Sequence, residues 1–440
     1  MNRCLLAFLL CGGLLLTTGA SPRPQVQARV DAEYASLFEF YKDLHMHPEL
    51  SFHEQRTSKR LADELRAAGL EVTEKVGGYG VVGVFRNGPA PVVLVRADMD
   101  ALPVKELTGL PYASTATTKD EQGREVPLMH ACGHDVHVTC LVGVARVLTA
   151  LKDRWQGTVV FIGQPAEERG AGARQMLADG LFRRFPKPDF CIAQHVAADL
   201  PTGTIGYTEG YAMANADSVD IIVHGAGGHG AMPHKTKDPV VLAAEIVLAL
   251  QTIVSREIDP TEPAVVTVGS IHGGSKHNII PDEVKLQLTL RSYSDEVREQ
   301  QIAAIKRITR GLALAAGLPE DRLPEVIVTG EGTKATYNDP PLTRRLVSAF
   351  GEWFGKDALK ARKPMMGAED FGLYGRTTEK IPICMFWIGS VDPKRVEEAA
   401  RGGPPLPSLH SPLYAPVPEP TIKMGVAAMT AAALELLGKR

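Results

Sequence analysis

Apolar positions follow two rhythms along this chain of 440 residues. Short, nearly unbroken apolar runs at 80–85, 92–98, 158–163 and 190–195 predict strands covered on both faces. Around them, stretches at 31–45, 52–68, 136–151 and 171–181 carry helical spacing, and Gly69 closes the second in the way helices commonly end. Strands alternating with helices predict an α/β domain with a mainly parallel sheet flanked by helices. In such sheets, ligand-binding residues collect at the carboxyl ends of the strands.

The rhythm changes near Asn215. A strand at 218–224, a glycine-rich loop, a helix at 239–255, strands at 264–271 and 283–292 and a helix at 295–316 form one β-α-β-β-α unit. That is the size of a small inserted α+β domain. The α/β pattern resumes after Pro324 and closes with a helix at 420–437. The expected organisation is therefore a first domain over 21–214 and 328–440, interrupted by a second over 215–327.

Residues 1–20 stand apart. Arg3, an apolar run at 5–16 and small residues up to Ala20 read as a secretory signal cleaved after Ala20. The run is too short to span a bilayer comfortably, so an exported chain, periplasmic or secreted and free of the membrane after cleavage, is the expectation. A net charge of -3 with no basic stripe argues against a nucleic-acid partner. Beyond the signal, Cys132, Cys140, Cys191 and Cys384 are too few for a disulfide framework in so large a chain. The last three read as small buried apolar residues.

Cys132 has different neighbours. Met129-His130-Ala131-Cys132-Gly133-His134-Asp135-Val136-His137 opens a helix, and thiolate and imidazole two residues apart are common metal ligands. Gln164-Pro165-Ala166-Glu167-Glu168 follows an apolar strand. Paired carboxylates there are costly unless they hold a metal or a proton, and one can bind metal while the other acts as a general base. His195 sits at another strand end, and His410 lies in a proline-rich loop. One Cys, one Glu and three His suffice for two metals with positions left for water. Asp98, ending a further strand, suits orientation of a ligand imidazole. In the inserted unit, His229 lies in a glycine-rich loop, and Asn278 and Arg291 suit a substrate carboxylate.

Taken in order, RADMDALP, MHACGHDVH, QPAEE, GGHGAMPH, HNIIPD, GAEDF and LHSP resemble the aminoacylase, hippurate hydrolase and auxin-conjugate amidohydrolase branch of the dinuclear metallopeptidases. The resemblance covers essentially the whole chain after residue 20. It implies two divalent metal ions (zinc, manganese, cobalt or nickel), with Cys132 as their bridge and His134, Glu168, His195 and His410 as the other ligands. It further implies Glu167 as the catalytic carboxylate and His229 as a residue that reaches the active site of a partner subunit. Asn278 and Arg291 fall near the substrate carboxylate, and the inserted unit serves as lid and dimerisation domain in a homodimer or higher homo-oligomer. The implied activity is hydrolysis of the amide bond of small N-acyl amino acids. A metallo-dipeptidase or carboxypeptidase, and an inactive metal-binding homologue, are the competing readings.

Overall fold

The computed structural model describes residues 22–120 and 122–439, so the signal segment expected at 1–20 lies outside the described residues. Eight strands form one sheet in the order Glu71–Val76, Gly80–Arg86, Thr158–Gln164, Val92–Asp98, Phe190–Pro201, Ile383–Val391, Ile205–Tyr207, Leu359–Ala361. The four strands from Thr158–Gln164 to Ile383–Val391 are mutually parallel. The first two strands run antiparallel to their neighbours.

The unbroken apolar runs have a direct cause in this arrangement. Val93, Val95 and Ala97 point into a core shared with the helices Arg23–Met46, His134–Ala150 and Pro418–Leu436. Leu94, between them, points into a second core closed by Gly172–Ala178 and the turn Asp370–Gly375. Alternate side chains thus meet two different apolar layers, and no position on the strand faces water. The edge strand Glu71–Val76 buries only Val76, which is why its pattern is weak in the sequence.

The inserted unit is an antiparallel sheet in the order Ala264–Gly273, Glu283–Ser292, Asn215–His224, Glu325–Thr333. Helices Pro239–Thr252 and Asp295–Ala315 cover one face. Along Asn215–His224, burial alternates strictly, as a one-sided sheet requires. The fourth strand corrects the expected boundary. Glu325–Thr333 pairs with Asn215–His224, so the inserted unit extends through Thr333 and past 327. A strand's own sequence does not encode which sheet it joins. Strands Gly210–Met213 and Thr336–Asn338 pair with each other and carry the chain into and out of the unit.

Candidate active site

The polar clusters gather at the carboxyl ends of the parallel strands. Val92–Asp98 runs into Asp100, and Thr158–Gln164 runs into a short turn, Glu167–Arg169. His195 lies within Phe190–Pro201 and not at its end. It follows the point where the neighbouring strand stops pairing, at Arg96 opposite Ala193, so the sheet opens beside its ring. Gly133 adopts a left-handed φ of 76° before the helix His134–Ala150, and a Cβ there would lie 2.6 Å from Val196 Cγ2. Only glycine lets the Cys132 loop lie this close to the His195 strand. The His410 amide donates to the Ala131 carbonyl at 2.9 Å, which joins the fourth loop to the first.

Six side chains converge. Cys132 Sγ lies 3.5 Å from His195 Nε2, and His410 Nε2 lies 3.5 Å from Glu168 Oε1. His134 Nε2 is 3.8 Å from Glu168 Oε1 and 3.9 Å from Glu167 Oε2. Ligand atoms of Cys132, His134 and Glu168 all lie within 4.8 Å of one another. Each inner imidazole is anchored from behind: His134 Nδ1 donates to the Asp100 carbonyl at 2.8 Å, and His195 Nδ1 to the Val196 carbonyl at 2.7 Å. Their Nε2 atoms therefore face inward as electron-pair donors.

These residues fit divalent cations. His134 Nε2 and Glu168 Oε1 are buried without a hydrogen-bond partner, an arrangement that is costly unless a cation satisfies them. Burial, then the charge of Glu369, pushes the Glu167 carboxyl well above the usual range. Burial pushes Glu168 up to about 7. Burial, then Glu168, pushes the Cys132 thiol well up. All three shifts mark a site short of positive charge, and Cys, Glu and His form a donor set for zinc or a similar first-row ion. Cys132 and Glu168 lie in the middle, with His195 against one and His410 against the other, so the set can hold two ions.

The surroundings correct two readings. Asp98 was expected to orient a ligand imidazole. Asp98 Oδ1 instead accepts a hydrogen bond from His137 Nδ1 at 2.5 Å, and the Asp100 carbonyl holds His134. His137 Nε2 accepts from the Val196 amide at 2.9 Å, so both its nitrogens are committed and it is no ligand. The reason is local: Asp98 lies beside Arg96, whose Nη1 bonds it at 2.5 Å, whereas Asp100 is two residues closer to the His134 ring. Asn278 is the second correction: expected beside Arg291 at the substrate carboxylate, it lies with His229, the residue expected to reach a partner subunit's site. Both are exposed, at the antiparallel pair of short strands Gly228–His229 and Ile279–Ile280, outside the cleft of their own chain. Arg291 does line that cleft, a space of about 780 Å³ that it shares with Cys132, Glu167, Glu168, His195 and His410.

A supporting layer of charge was not assigned from the sequence. Arg96, fully buried, bonds Glu369 at 2.7 Å and Asp370 at 3.2 Å. Asp370 accepts from the Ala173 amide at 2.9 Å and from Gln164 at 2.6 Å. Asp100 Oδ2 accepts from the Glu168 amide at 3.0 Å. The loop carrying Glu167 and Glu168 is thus held by carboxylates at several points. The signal for Glu369 and Asp370 was present as two acids set between Ala368 and Phe371, the kind of context in which acids are buried and paired.

Fold and site together define a metal-dependent hydrolase of linear amide bonds. The model of "Peptidase family M20/M25/M40" matches residues 94–401, and the chain belongs to this family. It is 36% identical over 363 residues to thermostable carboxypeptidase 1 of Saccharolobus solfataricus, covering 82% of this chain and 87% of that protein. It is 37% identical over 336 residues to hippurate hydrolase of Campylobacter jejuni, covering 75% and 82% respectively. Among solved structures, the Bacillus subtilis YxeP protein, described as a dinuclear metal-binding peptidase of family M20, superposes with a TM-score of 0.72 at 28% identity over 92% of this chain and 98% of that one.

Proposed function

We propose that this protein hydrolyses N-acyl amino acids to a carboxylic acid and a free amino acid. The observation that carries this reading is a single cleft with a buried acid, Glu167, beside a two-cation donor set and with the Arg291 guanidinium on its other wall. Bound metal ions would lower the pKa of water toward about 7 and polarise the scissile carbonyl. Cys132, His134, Glu168, His195 and His410 would hold them. Glu167 takes the proton of the attacking water and returns it to the departing amine, a role that suits a carboxyl whose pKa is raised by burial. Arg291 pairs with the free carboxylate of the amino acid, which an ester or amide would lack. His229 and Asn278, lying outside their own cleft, serve the site of a second copy, where His229 stabilises the oxyanion.

The copies associate through the inserted unit. The helix Pro239–Thr252 leaves Val240, Val241 and Leu248 exposed, and strand Ala264–Gly273 is the edge of its sheet. Residues 1–20 direct export, and zinc, manganese, cobalt or nickel satisfies the ligand set.

The likeness to a carboxypeptidase supports peptide cleavage as the second reading. Amine release from N-acetyl, N-benzoyl and indolylacetyl amino acids and from dipeptides, before and after chelation and metal restoration, separates the two. Metal-dependent cleavage with acyl amino acids ahead of dipeptides supports the proposal, whereas the reverse order overturns it in favour of a peptidase.

A further inference from the structure

Glu54 is completely buried, yet no step above uses it. It precedes the helix Gln55–Ala67, far in sequence from the acids of the site. One of its oxygens, Oε1, accepts from two backbone amides: Phe52 at 3.0 Å and Ala166 at 2.7 Å. Both of those residues hold left-handed backbone, Phe52 at φ 68° and Ala166 at φ 51°. For residues with a Cβ, that conformation is unfavourable and persists only where surroundings impose it. The same carboxylate oxygen anchors the amides of both.

The two residues it joins face the same cleft from different positions. Ala166 immediately precedes Glu167 and Glu168. Phe52 lines the cleft with 39% of its surface exposed. The other aromatic residue of the lining is Trp387, which is 3% exposed and covered by the Arg362 guanidinium at 5.5 Å. Among the described residues, Phe52 is thus the cleft ring open to a ligand. A phenyl face held rigidly in a strained turn is suited to an apolar, planar group. An acetyl group would leave most of a space of about 780 Å³ unfilled.

We propose that Glu54 is a positioning residue that fixes two things with one oxygen: the turn that presents Glu167, and Phe52 as the aromatic wall of an acyl subsite for aryl or other bulky apolar acyl groups. This deepens, and rests on, the reading of the cleft as an acyl amino acid site. Further contacts hold the segment in place: Ser51 Oγ donates to Asp100 Oδ2 at 2.6 Å, and the Ala101 amide donates to the Glu49 carbonyl at 2.7 Å. Residues 49–54 are thereby fastened to the strand end beside His134.

The test uses the full-length, metal-loaded protein with Glu54→Ala, Glu54→Gln and Phe52→Ala. Glutamine keeps an acceptor oxygen at the same place. Glu54→Ala should lower kcat about 10²-fold on benzoyl and acetyl substrates alike, through displacement of the Glu167 turn, with metal content unchanged. Glu54→Gln should stay within about threefold of wild type. Phe52→Ala should raise KM about tenfold for benzoyl amino acids, leave kcat near wild type, and spare acetyl amino acids. Hydrogen exchange read at the Ala166 and Phe52 amides should accelerate in Glu54→Ala and not in Glu54→Gln. Unchanged kcat and exchange in Glu54→Ala, or equal loss of folding and metal in both Glu54 variants, would overturn the positioning role. Equal effects of Phe52→Ala on both acyl classes would overturn the subsite. A wild-type protein inactive on every acyl amino acid would sink the assigned reaction instead, while the exchange measurement would still decide the role of Glu54.

Discussion

Glu167 and Glu168 are adjacent in sequence and equally acidic as free amino acids, yet the fold gives them different work. Glu168 Oε1 faces His134 and His410, whereas Glu167 turns toward Glu369 and Asp370. Glu167→Gln is therefore expected to retain both metal ions and to lose turnover by about 10²–10⁴-fold, the range of a general base. Metal analysis of the purified variant alongside its kcat checks this. His134→Ala should show the opposite order, with bound metal falling first and activity following it. Retention of two tightly bound ions in that variant would remove His134 from the ligand set.

At the scale of elements, the helix His134–Ala150 depends on how its first turn is held. Asp135 does not cap it as free N-cap residues do. Its Oδ2 is bonded to the buried His45 at 2.7 Å, and the other His45 nitrogen lies 3.1 Å from Glu106. Burial alone would lower the His45 pKa, but the Asp135 and Glu106 carboxylates outweigh it and raise it from 6.5 to about 10. A raised folded pKa stabilises the protein fully below the unfolded value of 6.5, and that contribution fades as pH rises toward 10. Denaturant unfolding from pH 6 to pH 10 should thus show a decline worth a few kcal/mol, which His45→Gln flattens. Gly133→Ala should cost about 2–4 kcal/mol, since it adds a left-handed Cβ and a close contact with Val196. A calorimetric scan of that variant matching wild type would show that the loop can move away from the His195 strand.

At the scale of the whole molecule, the inserted unit carries one wall of the cleft through Arg291 and an outward apolar face through Val240, Val241, Leu248 and Ile271. Leu248, 72% exposed, is the residue to charge. If the copies associate through this face, wild type should sediment as a dimer or larger and Leu248→Glu as a monomer. If His229 serves the partner subunit's site, Glu167→Gln and His229→Ala proteins, each nearly inactive, should recover roughly a quarter of wild-type activity when mixed and reassembled, because a two-fold mixed dimer restores one intact site. No recovery on verified mixing would confine His229 to its own chain.

Much of this protein was determined by local pattern. Alternating apolar strands and helices encode the α/β sheet, because a strand buried on both faces has few positions where a polar residue meets water. Cys132, His134, Glu167, Glu168, His195 and His410 were legible because costly polar residues clustered where the apolar runs stop. Tertiary structure decided the rest. Glu325–Thr333 joined the inserted sheet because strand pairing is set by which edge is free, information that no local pattern holds. Asp100, through its backbone carbonyl, and not the Asp98 carboxylate, came to hold His134, because a shift of two residues at a strand end changes which groups an imidazole meets. Arg96, Glu54 and Glu369 acquired their partners from segments up to hundreds of residues away, since a buried charge is satisfied by whatever the completed core brings against it.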